Sequence, residues 1–252
     1  MSEPLPIHHF TGFDGTDLVW REIGGGRPVV LLHGLFSNAV TNWIRYGHAA
    51  AIAARGFRVI MPDLRAHGDS ANPHDAAAYP TDVLAADGLA LIAHLELDDY
   101  DLGGYSLGGR TTARMLALGA SPRRVVIAGM GYEGLTRTGN RSDFFRRVLT
   151  LRGGFDKGTP EWFADAFLKS SGGDARALIH ILDTFVDMTD AELARIGQPV
   201  LILSGKDDLD NGSAEALARA LPDARYQAIP GNHMSAVVKP GLGVAIADFL
   251  AG

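Results

Sequence analysis

A serine flanked by glycines in the middle of the chain has the spacing of a nucleophile turn. Gly104-Tyr105-Ser106-Leu107-Gly108 matches the pattern G-x-S-x-G, in which a serine occupies a sharp turn between a strand and a helix. The two glycines leave room that a Cβ atom would fill, so the hydroxyl can stand exposed above the turn. The sequence predicts a strand at 100–103 and a helix at 107–118, which is the context that makes Ser106 a candidate nucleophile.

A serine hydroxyl attacks a carbonyl only when a base removes its proton, and an acidic side chain normally orients that base. Where the nucleophile lies on such a turn, the partners follow along the chain in the order serine, acid, histidine. Two histidines follow Ser106: His180 lies within a predicted helix, and His233 lies in a loop directly after the predicted strand 225–229. We therefore predict that His233 is the base.

Three carboxylates compete for the role of the supporting acid. Asp207 and Asp208 follow the predicted strand 199–203, and Glu133 follows the predicted strand 124–128. The residues alone leave these three open, because mutual geometry and not sequence position defines this role.

Acyl transfer also requires N–H donors for the negative oxygen of the tetrahedral intermediate. The backbone N–H of Leu107, directly after the serine, is one expected donor, and the second should come from the loop after an earlier strand. That loop is His33-Gly34-Leu35-Phe36, in which the N–H of Leu35 is the predicted donor. We expect His33 to shape the loop by hydrogen bonding rather than to act as a base.

Short apolar runs alternate with helical segments along most of the chain. Beyond an opening hairpin, the predicted strands are 29–32, 57–61, 100–103, 124–128, 199–203 and 225–229. This alternation predicts a doubly wound parallel sheet covered by helices, with ligands bound at the carboxyl ends of the strands. Residues 132–198 show only helical patterns. We interpret them as a helical cap inserted into a core formed by 1–131 and 199–252.

The motifs and their order resemble the α/β-hydrolase superfamily over nearly the whole chain outside the cap. Besides the serine turn, His33-Gly34 is similar to the HG motif of that family, and Asn232-His233 to the segment that carries its histidine. The segment D-L-R-A-H-G-D-S at 63–70 is similar to D-x-R-G-x-G-x-S, with Ala66 where glycine is usual. Gly205-x-x-Asp208 resembles the G-x-x-D acid motif, which favours Asp208 over Asp207.

The resemblance implies an α/β-hydrolase fold and a serine hydrolase that needs no metal or organic cofactor. The serine nucleophile disfavours the haloalkane dehalogenase and epoxide hydrolase branches, and the loop at 33–36 lacks the Gly-Pro-Gly run of carbon–carbon bond hydrolases. The implied activity is hydrolysis of a small to medium-sized apolar carboxylic ester through an acyl-enzyme. The alternatives are a cofactor-free C–C hydrolase, lyase or perhydrolase with the same triad, or a ligand receptor with low turnover.

The predicted substrate contacts lie beside the oxyanion loop and in the cap. Phe36 and Tyr105 flank the expected oxyanion hole, and Trp162 is a large apolar residue of the cap. The other large apolar cap residues are Phe144, Phe145, Phe163, Phe167, Ile181 and Phe185. The cap arginines, which we interpret as a solvated helix face, are Arg137, Arg141, Arg146, Arg147 and Arg152.

Composition narrows the class of protein further. The 252 residues carry a formal net charge of −6 with no basic stripe, which disfavours nucleic-acid binding. The chain has no cysteine, which excludes disulfides and thiol catalysis. Its start lacks the features of a secretory signal, and no apolar run approaches the ~20 residues that a membrane span needs. We expect a soluble, cytoplasmic protein that acts on a small molecule, with the oligomeric state left open.

Overall fold

One mixed sheet forms the centre of the protein. The structure, a computed structural model, describes residues 4–252 apart from the side chain of Asn140. The strands are β1 His8–Thr11, β2 Asp17–Gly24, β3 Arg27–Leu32, β4 Phe57–Asp63, β5 Asp101–Tyr105, β6 Val125–Ala128, β7 Val200–Gly205 and β8 Ala224–Ile229. Their order across the sheet is β1-β2-β4-β3-β5-β6-β7-β8.

The strands from β3 to β8 are parallel to one another, and of the eight described strands β2 alone runs in the opposite direction. β1 pairs with β2, and β2 with β4, in antiparallel register. Alternate residues of β3 face opposite sides of the sheet: Val30 and Leu32 join one hydrophobic cluster, and Val29 and Leu31 join another. A strand buried on both faces reads as a continuous apolar run, which is why this pattern predicted a parallel sheet. That fold class is confirmed.

Helices cover both faces of the sheet. The helices are α1 His48–Ala53, α2 Val83–His94, α3 Leu107–Ala117, α4 Tyr132–Thr136, α5 Ser142–Thr150, α6 Pro160–Ser171, α7 Ala175–Ile181, α8 Asp190–Leu193, α9 Ala214–Ala220, α10 His233–Ala236 and α11 Gly241–Ala251. Ile52 of α1 and Ile246 of α11 pack on the face that carries Val29. Leu91 of α2, Met115 of α3 and Leu178 of α7 belong to the cluster on the other face.

Two predicted helices are broken in the structure. The alanine-rich segment 43–55 predicts a single helix. The structure instead has a π-helical turn, Val40–Ile44, followed by α1, because Gly47 adopts a left-handed conformation (φ 78°) between them. The segment 237–250 also predicts a single helix. In the structure the helix begins only after Pro240, and residues 237–240 form a turn that follows α10. Proline cannot donate the backbone hydrogen bond that would continue a helix through it.

The stretch between β6 and β7 contains the five helices α4 to α8. Leu149 of α5, Leu168 of α6 and Leu178 of α7 join the hydrophobic cluster that contains Phe36, so these helices pack next to the loop after β3. The division into a core and a separate cap at 132–198 stays a prediction. Among residues 4–252, none of the helices has the length and hydropathy that crossing a membrane requires.

Candidate active site

Ser106 occupies the turn between β5 and α3, at the carboxyl end of a strand in the middle of the sheet. Its backbone has φ 55° and ψ −115°, a region that residues with a Cβ atom rarely adopt. The N–H of Ser106 donates to the carbonyl oxygen of Ala128 at 2.8 Å, which ties the turn to β6. Such a conformation costs about 1–3 kcal/mol and persists only where the surroundings impose it.

The glycines of the serine motif allow the close contact that imposes this turn. A Cβ atom at Gly104 would overlap the carbonyl group of Gly108, and one at Gly108 would overlap the carbonyl oxygen of Leu32. The first turn of α3 therefore lies directly against β5 and β3. This packing explains why glycine is needed at both positions around Ser106.

A continuous chain of hydrogen bonds joins three side chains at this edge of the sheet. The Oγ of Ser106 lies 3.0 Å from Nε2 of His233, and Nδ1 of His233 lies 2.8 Å from Oδ2 of Asp208. An ionised carboxylate only accepts hydrogen bonds, so Nδ1 carries the proton and Nε2 is free to accept from the serine. The Asp208 side chain is 3% exposed and that of His233 is 10% exposed, so the chain is shielded from water.

Short loops after β7 and β8 hold the acid and the base. The N–H of Asp208 donates to the carbonyl of Gly205 at 3.0 Å, which closes a turn at the end of β7. His233 is the first residue of α10, which begins with a capping box between Asn232 and Ser235. Tyr105 donates its hydroxyl to the carbonyl oxygen of His233, and its ring lies 5.3 Å from the imidazole. Tyr105 thus positions the histidine.

The other two candidate acids lie elsewhere. Asp207 is exposed. The carboxylate of Glu133 accepts the N–H of Ser213 at 2.8 Å, just before α9, and this bond lowers the pKa of Glu133. In the described part of the chain neither carboxylate makes a hydrogen bond to His233. The structure therefore brings Ser106 and His233 together with Asp208.

The two predicted oxyanion donors flank the serine. Leu35 and Leu107 both line the cleft next to Ser106, and a Cβ atom at Gly34 would lie 3.4 Å from that of the serine. Neither the N–H of Leu35 nor that of Leu107 donates to another group within residues 4–252. Both are available to a ligand oxygen. Their role as an oxyanion hole stays a prediction.

His33 is a structural residue of the same loop. Its Nδ1 bonds the carbonyl of Gly34 at 2.9 Å, and its Nε2 accepts the N–H of Leu64 at 3.0 Å. Burial lowers the pKa of His33 to about 4. Burial, and in addition the charge of the neighbouring His33, lowers the pKa of His67 to about 3. Both rings are neutral near pH 7, and among the described residues neither makes a hydrogen bond to Ser106.

Two clefts open on either side of Ser106. The first, here named the His-side cleft, encloses about 670 Å³ including its open mouth, and its lining contains His233, Tyr105, Phe167, Val237 and Val238. The second, here named the Arg-side cleft, encloses about 390 Å³ on the same measure, and its lining contains Arg110, Thr138, Arg141, Phe145 and Phe185. Ser106 and Leu35 belong to both linings.

Of the three predicted substrate contacts, Tyr105 lines a cleft next to Ser106, and Phe36 and Trp162 do not. Tyr105 lines the His-side cleft. Phe36 is 2% exposed and packs edge-on against Phe145, with ring centres 5.6 Å apart. Trp162 packs against Phe163 on α6. Phe36 and Trp162 line neither cleft. The direction in which a side chain points depends on tertiary packing, which the sequence pattern does not reveal.

Two arginines line the Arg-side cleft, and sequence analysis missed their position. Arg110 is 9% exposed, and Arg141, interpreted above as part of a solvated face, pairs with Asp210 at 3.2 Å. The guanidinium of Arg110 lies over the ring of Phe185 at 4.5 Å, and burial lowers its pKa to about 10. A signal was present: a residue four positions after Ser106 lies on the same face of α3, one turn further along.

One group within the described residues has the donor atoms for a metal ion. Oxygen and nitrogen atoms of Asp208, Asp210 and His233 lie within 4.8 Å of one another. Asp208 already accepts a hydrogen bond from His233, and Asp210 pairs with Arg141. A metal ion here would have to displace the bond that orients the histidine.

Comparison with known proteins identifies the family. The model of the Alpha/beta hydrolase family matches residues 29–245. A non-heme haloperoxidase of Rhodococcus erythropolis is 31% identical over 88% of this chain and 90% of its own length. A solved hydrolase from Pseudomonas aeruginosa has a TM-score of 0.78 at 25% identity, with 98% of both chains covered. For an esterase of Exiguobacterium antarcticum the TM-score is 0.74 at 21% identity, over 97% of this chain and 99% of that one. The predicted α/β-hydrolase fold is confirmed, and the chain is a hydrolase that belongs to the alpha/beta hydrolase family.

Proposed function

We propose that this protein is a serine esterase, which hydrolyses carboxylic esters through Ser106, His233 and Asp208. The observation that carries the proposal is the hydrogen-bond chain from the Ser106 hydroxyl through the imidazole to the buried Asp208 carboxylate. The strained backbone of Ser106 supports it, because strain of this kind is typical of catalytic turns.

In the first half-reaction, the Oγ of Ser106 attacks the ester carbonyl while Nε2 of His233 takes its proton. The carbonyl oxygen becomes negative and accepts the N–H groups of Leu35 and Leu107. His233, now a cation stabilised by Asp208, gives the proton to the alcohol oxygen. The C–O bond to the alcohol breaks, and the acyl group remains bonded to Ser106.

In the second half-reaction, water replaces the alcohol. His233 takes a proton from this water, whose oxygen attacks the acyl carbon, and the same two N–H groups bind the resulting oxyanion. Collapse of this intermediate breaks the bond to Ser106, and His233 returns the proton to Oγ. The products are one carboxylic acid and one alcohol, and the enzyme is regenerated.

The test is hydrolysis of p-nitrophenyl esters from acetate to decanoate by wild type and Ser106→Ala. Loss of the nucleophile should lower kcat by about 10⁴-fold or more. The matched control is Ser121→Ala, at an exposed serine that belongs to neither cleft lining, and it should retain wild-type rates. Equal rates for wild type and Ser106→Ala would refute the assignment, and a wild type inert on every ester would refute esterase activity.

Perhydrolysis is a second candidate, favoured by the haloperoxidase name of the relative described above. Here hydrogen peroxide would attack the acyl-enzyme in place of water, and the products would be a peroxycarboxylic acid and free Ser106. The machinery is the same, so the test is competition. Wild type would be supplied with an ester and hydrogen peroxide, and the yields of peroxy acid and acid compared. Formation of acid alone would exclude this candidate.

A further inference from the structure

Arg110 is a buried cation that forms no ion pair with the described residues. Its Nε and Nη1 atoms are fully buried, and neither has a hydrogen-bond partner among the described residues. Within that part of the chain no carboxylate oxygen lies within ion-pairing distance of its guanidinium. Buried arginines are almost always paired, because a desolvated charge is otherwise costly. By contrast, Arg65 and Arg114 each bond two carboxylates.

The described surroundings of Arg110 offset its charge only in part. Arg110 lies in the second turn of α3, near the helix end that carries partial positive charge, and this end favours anions. Asp210 pairs with Arg141. Asp187 is exposed and accepts the N–H of Thr138 at 2.7 Å. Its negative charge raises the pKa of Arg110, but burial lowers that pKa by more. The ring of Phe185 offers only the weak attraction of a π face. The Arg-side cleft therefore favours an anion.

The path of the proton in the proposed reaction indicates which half of the ester, acyl or alcohol, carries this anion. The alcohol oxygen must face Nε2 of His233 to receive its proton, and His233 lines only one of the two clefts that meet at Ser106. The alcohol part therefore extends into the His-side cleft. The acyl part extends into the Arg-side cleft, toward Arg110.

We propose that Arg110 binds a carboxylate carried by the acyl part of the substrate, so the preferred substrates are half-esters of short dicarboxylic acids. The inference rests on the proposed esterase function and names its substrate class. Residues four apart on a helix have Cβ atoms about 5–6 Å apart, a separation that a chain of a few carbons between ester and carboxylate can span. Arg141, which lies in the same cleft, adds positive charge that Asp210 partly neutralises.

Three benzyl esters with acyl chains of equal length test the proposal. They are benzyl pentanoate, which is neutral, monobenzyl glutarate, charged on the acyl side, and 4-carboxybenzyl pentanoate, charged on the alcohol side. Wild type should show at least tenfold higher kcat/KM on monobenzyl glutarate than on benzyl pentanoate. The ester charged on the alcohol side should gain no such advantage. Equal kcat/KM on the first two esters would overturn the proposal.

The preference should depend on Arg110. Arg110→Met should lose at least tenfold in the ratio of kcat/KM between monobenzyl glutarate and benzyl pentanoate, and Arg110→Lys should restore part of it. The control is Arg147→Met, since Arg147 lies on α5 with its side chain 61% exposed and paired with Glu161. This control should keep the wild-type ratio. An unchanged ratio in Arg110→Met would contradict the role of Arg110.

A binding experiment separates this proposal from the esterase proposal. Ser106→Ala keeps Arg110 but lacks the nucleophile, and calorimetry can measure its affinity for glutarate against 1,5-pentanediol, a neutral chain of the same length. Glutarate alone should bind, and the added change Arg110→Met should weaken it tenfold or more. If this occurs while wild type hydrolyses no ester, the anion site stands and the esterase proposal falls. If esters are hydrolysed but glutarate does not bind, the anion site falls.

Discussion

Replacing Arg110 by methionine should make the free protein more stable. The change removes a buried charge that has no counter-ion among the described residues, and it keeps most of the apolar volume of the side chain. Replacement of buried ionic groups by apolar residues of similar volume is often neutral or stabilising. A binding residue that lowers the stability of the unliganded enzyme is the expected signature of a site built for an anion.

The magnitude follows from the electrostatics of the site. The fall in the pKa of Arg110 from 12.5 to about 10 corresponds to roughly 3 kcal/mol, at about 1.4 kcal/mol for each pKa unit. The folded protein bears this cost in full below pH 10, where the side chain is charged in both states. Loss of the contact with the Phe185 ring offsets about 1 kcal/mol. We expect the free energy of unfolding to rise by roughly 1–2 kcal/mol, and Tm by about 2–8 °C.

The assay is equilibrium unfolding in urea at pH 7, with calorimetric melting as a second measure. Arg147→Met is the control, and its exposed side chain should leave the free energy of unfolding within about 0.5 kcal/mol of wild type. Glutarate should raise the Tm of wild type and not that of Arg110→Met. If Arg110→Met is destabilised by more than about 1 kcal/mol, the guanidinium has a favourable environment in the free protein, and the reasoning is wrong.

Three further predictions test the site and its support. Asp208→Asn should lower kcat on p-nitrophenyl esters by about 10⁴-fold, because the imidazole loses its anionic partner, whereas Asp207→Asn should stay within about twofold of wild type. Gly108→Ala should lower the free energy of unfolding by more than about 2 kcal/mol in urea, because its Cβ would overlap a carbonyl of β3, and an unchanged value would contradict the close packing. The pKa values of His33 and His67 are about 4 and about 3 in the folded protein, against 6.5 for a free histidine. As the pH falls, the unfolded chain therefore binds protons at these histidines before the folded protein does. The stability present above pH 6.5 should therefore fall by roughly 3 kcal/mol or more by pH 4.5, and His67→Asn should flatten that dependence in urea titrations.

The sequence predicted the architecture where local and tertiary preferences agree. The apolar run that became β3 is buried on both faces, so composition alone indicated a central parallel strand. Helix boundaries were less predictable near Gly47 and Pro240. Alanine-rich segments favour a helix along their whole length. Where the helix breaks is decided by a single residue, a left-handed glycine or a proline without an N–H donor. Helix propensity summed over a segment does not show the effect of one such residue.

The hydrogen-bonded side chains of the site were easier to predict than its pocket. Ser106, Asp208 and His233 each follow a strand, and the carboxyl ends of parallel strands meet at one edge, so chain order nearly determines their proximity. The faces presented by Phe36 and Trp162 depend on how helices α5 and α6 pack, and no local pattern records that. Arg110 was missed because arginine in a helix is ordinary, and its lack of an ion-pair partner among the described residues is a property of the folded molecule.

The placement of helices α4 to α8 has a consequence for how such a protein can diversify. All five lie between β6 and β7, which are hydrogen-bonded neighbours in the sheet, so the chain leaves and returns at adjacent points. The entropy of closing a loop grows only slowly with its length, about 0.6 kcal/mol for each doubling. As far as chain closure is concerned, this stretch can therefore be lengthened at small entropic cost to the sheet. Selection can then reshape the Arg-side cleft through Arg141, Phe145 and Phe185 without touching the strands that carry the nucleophile, the acid and the base.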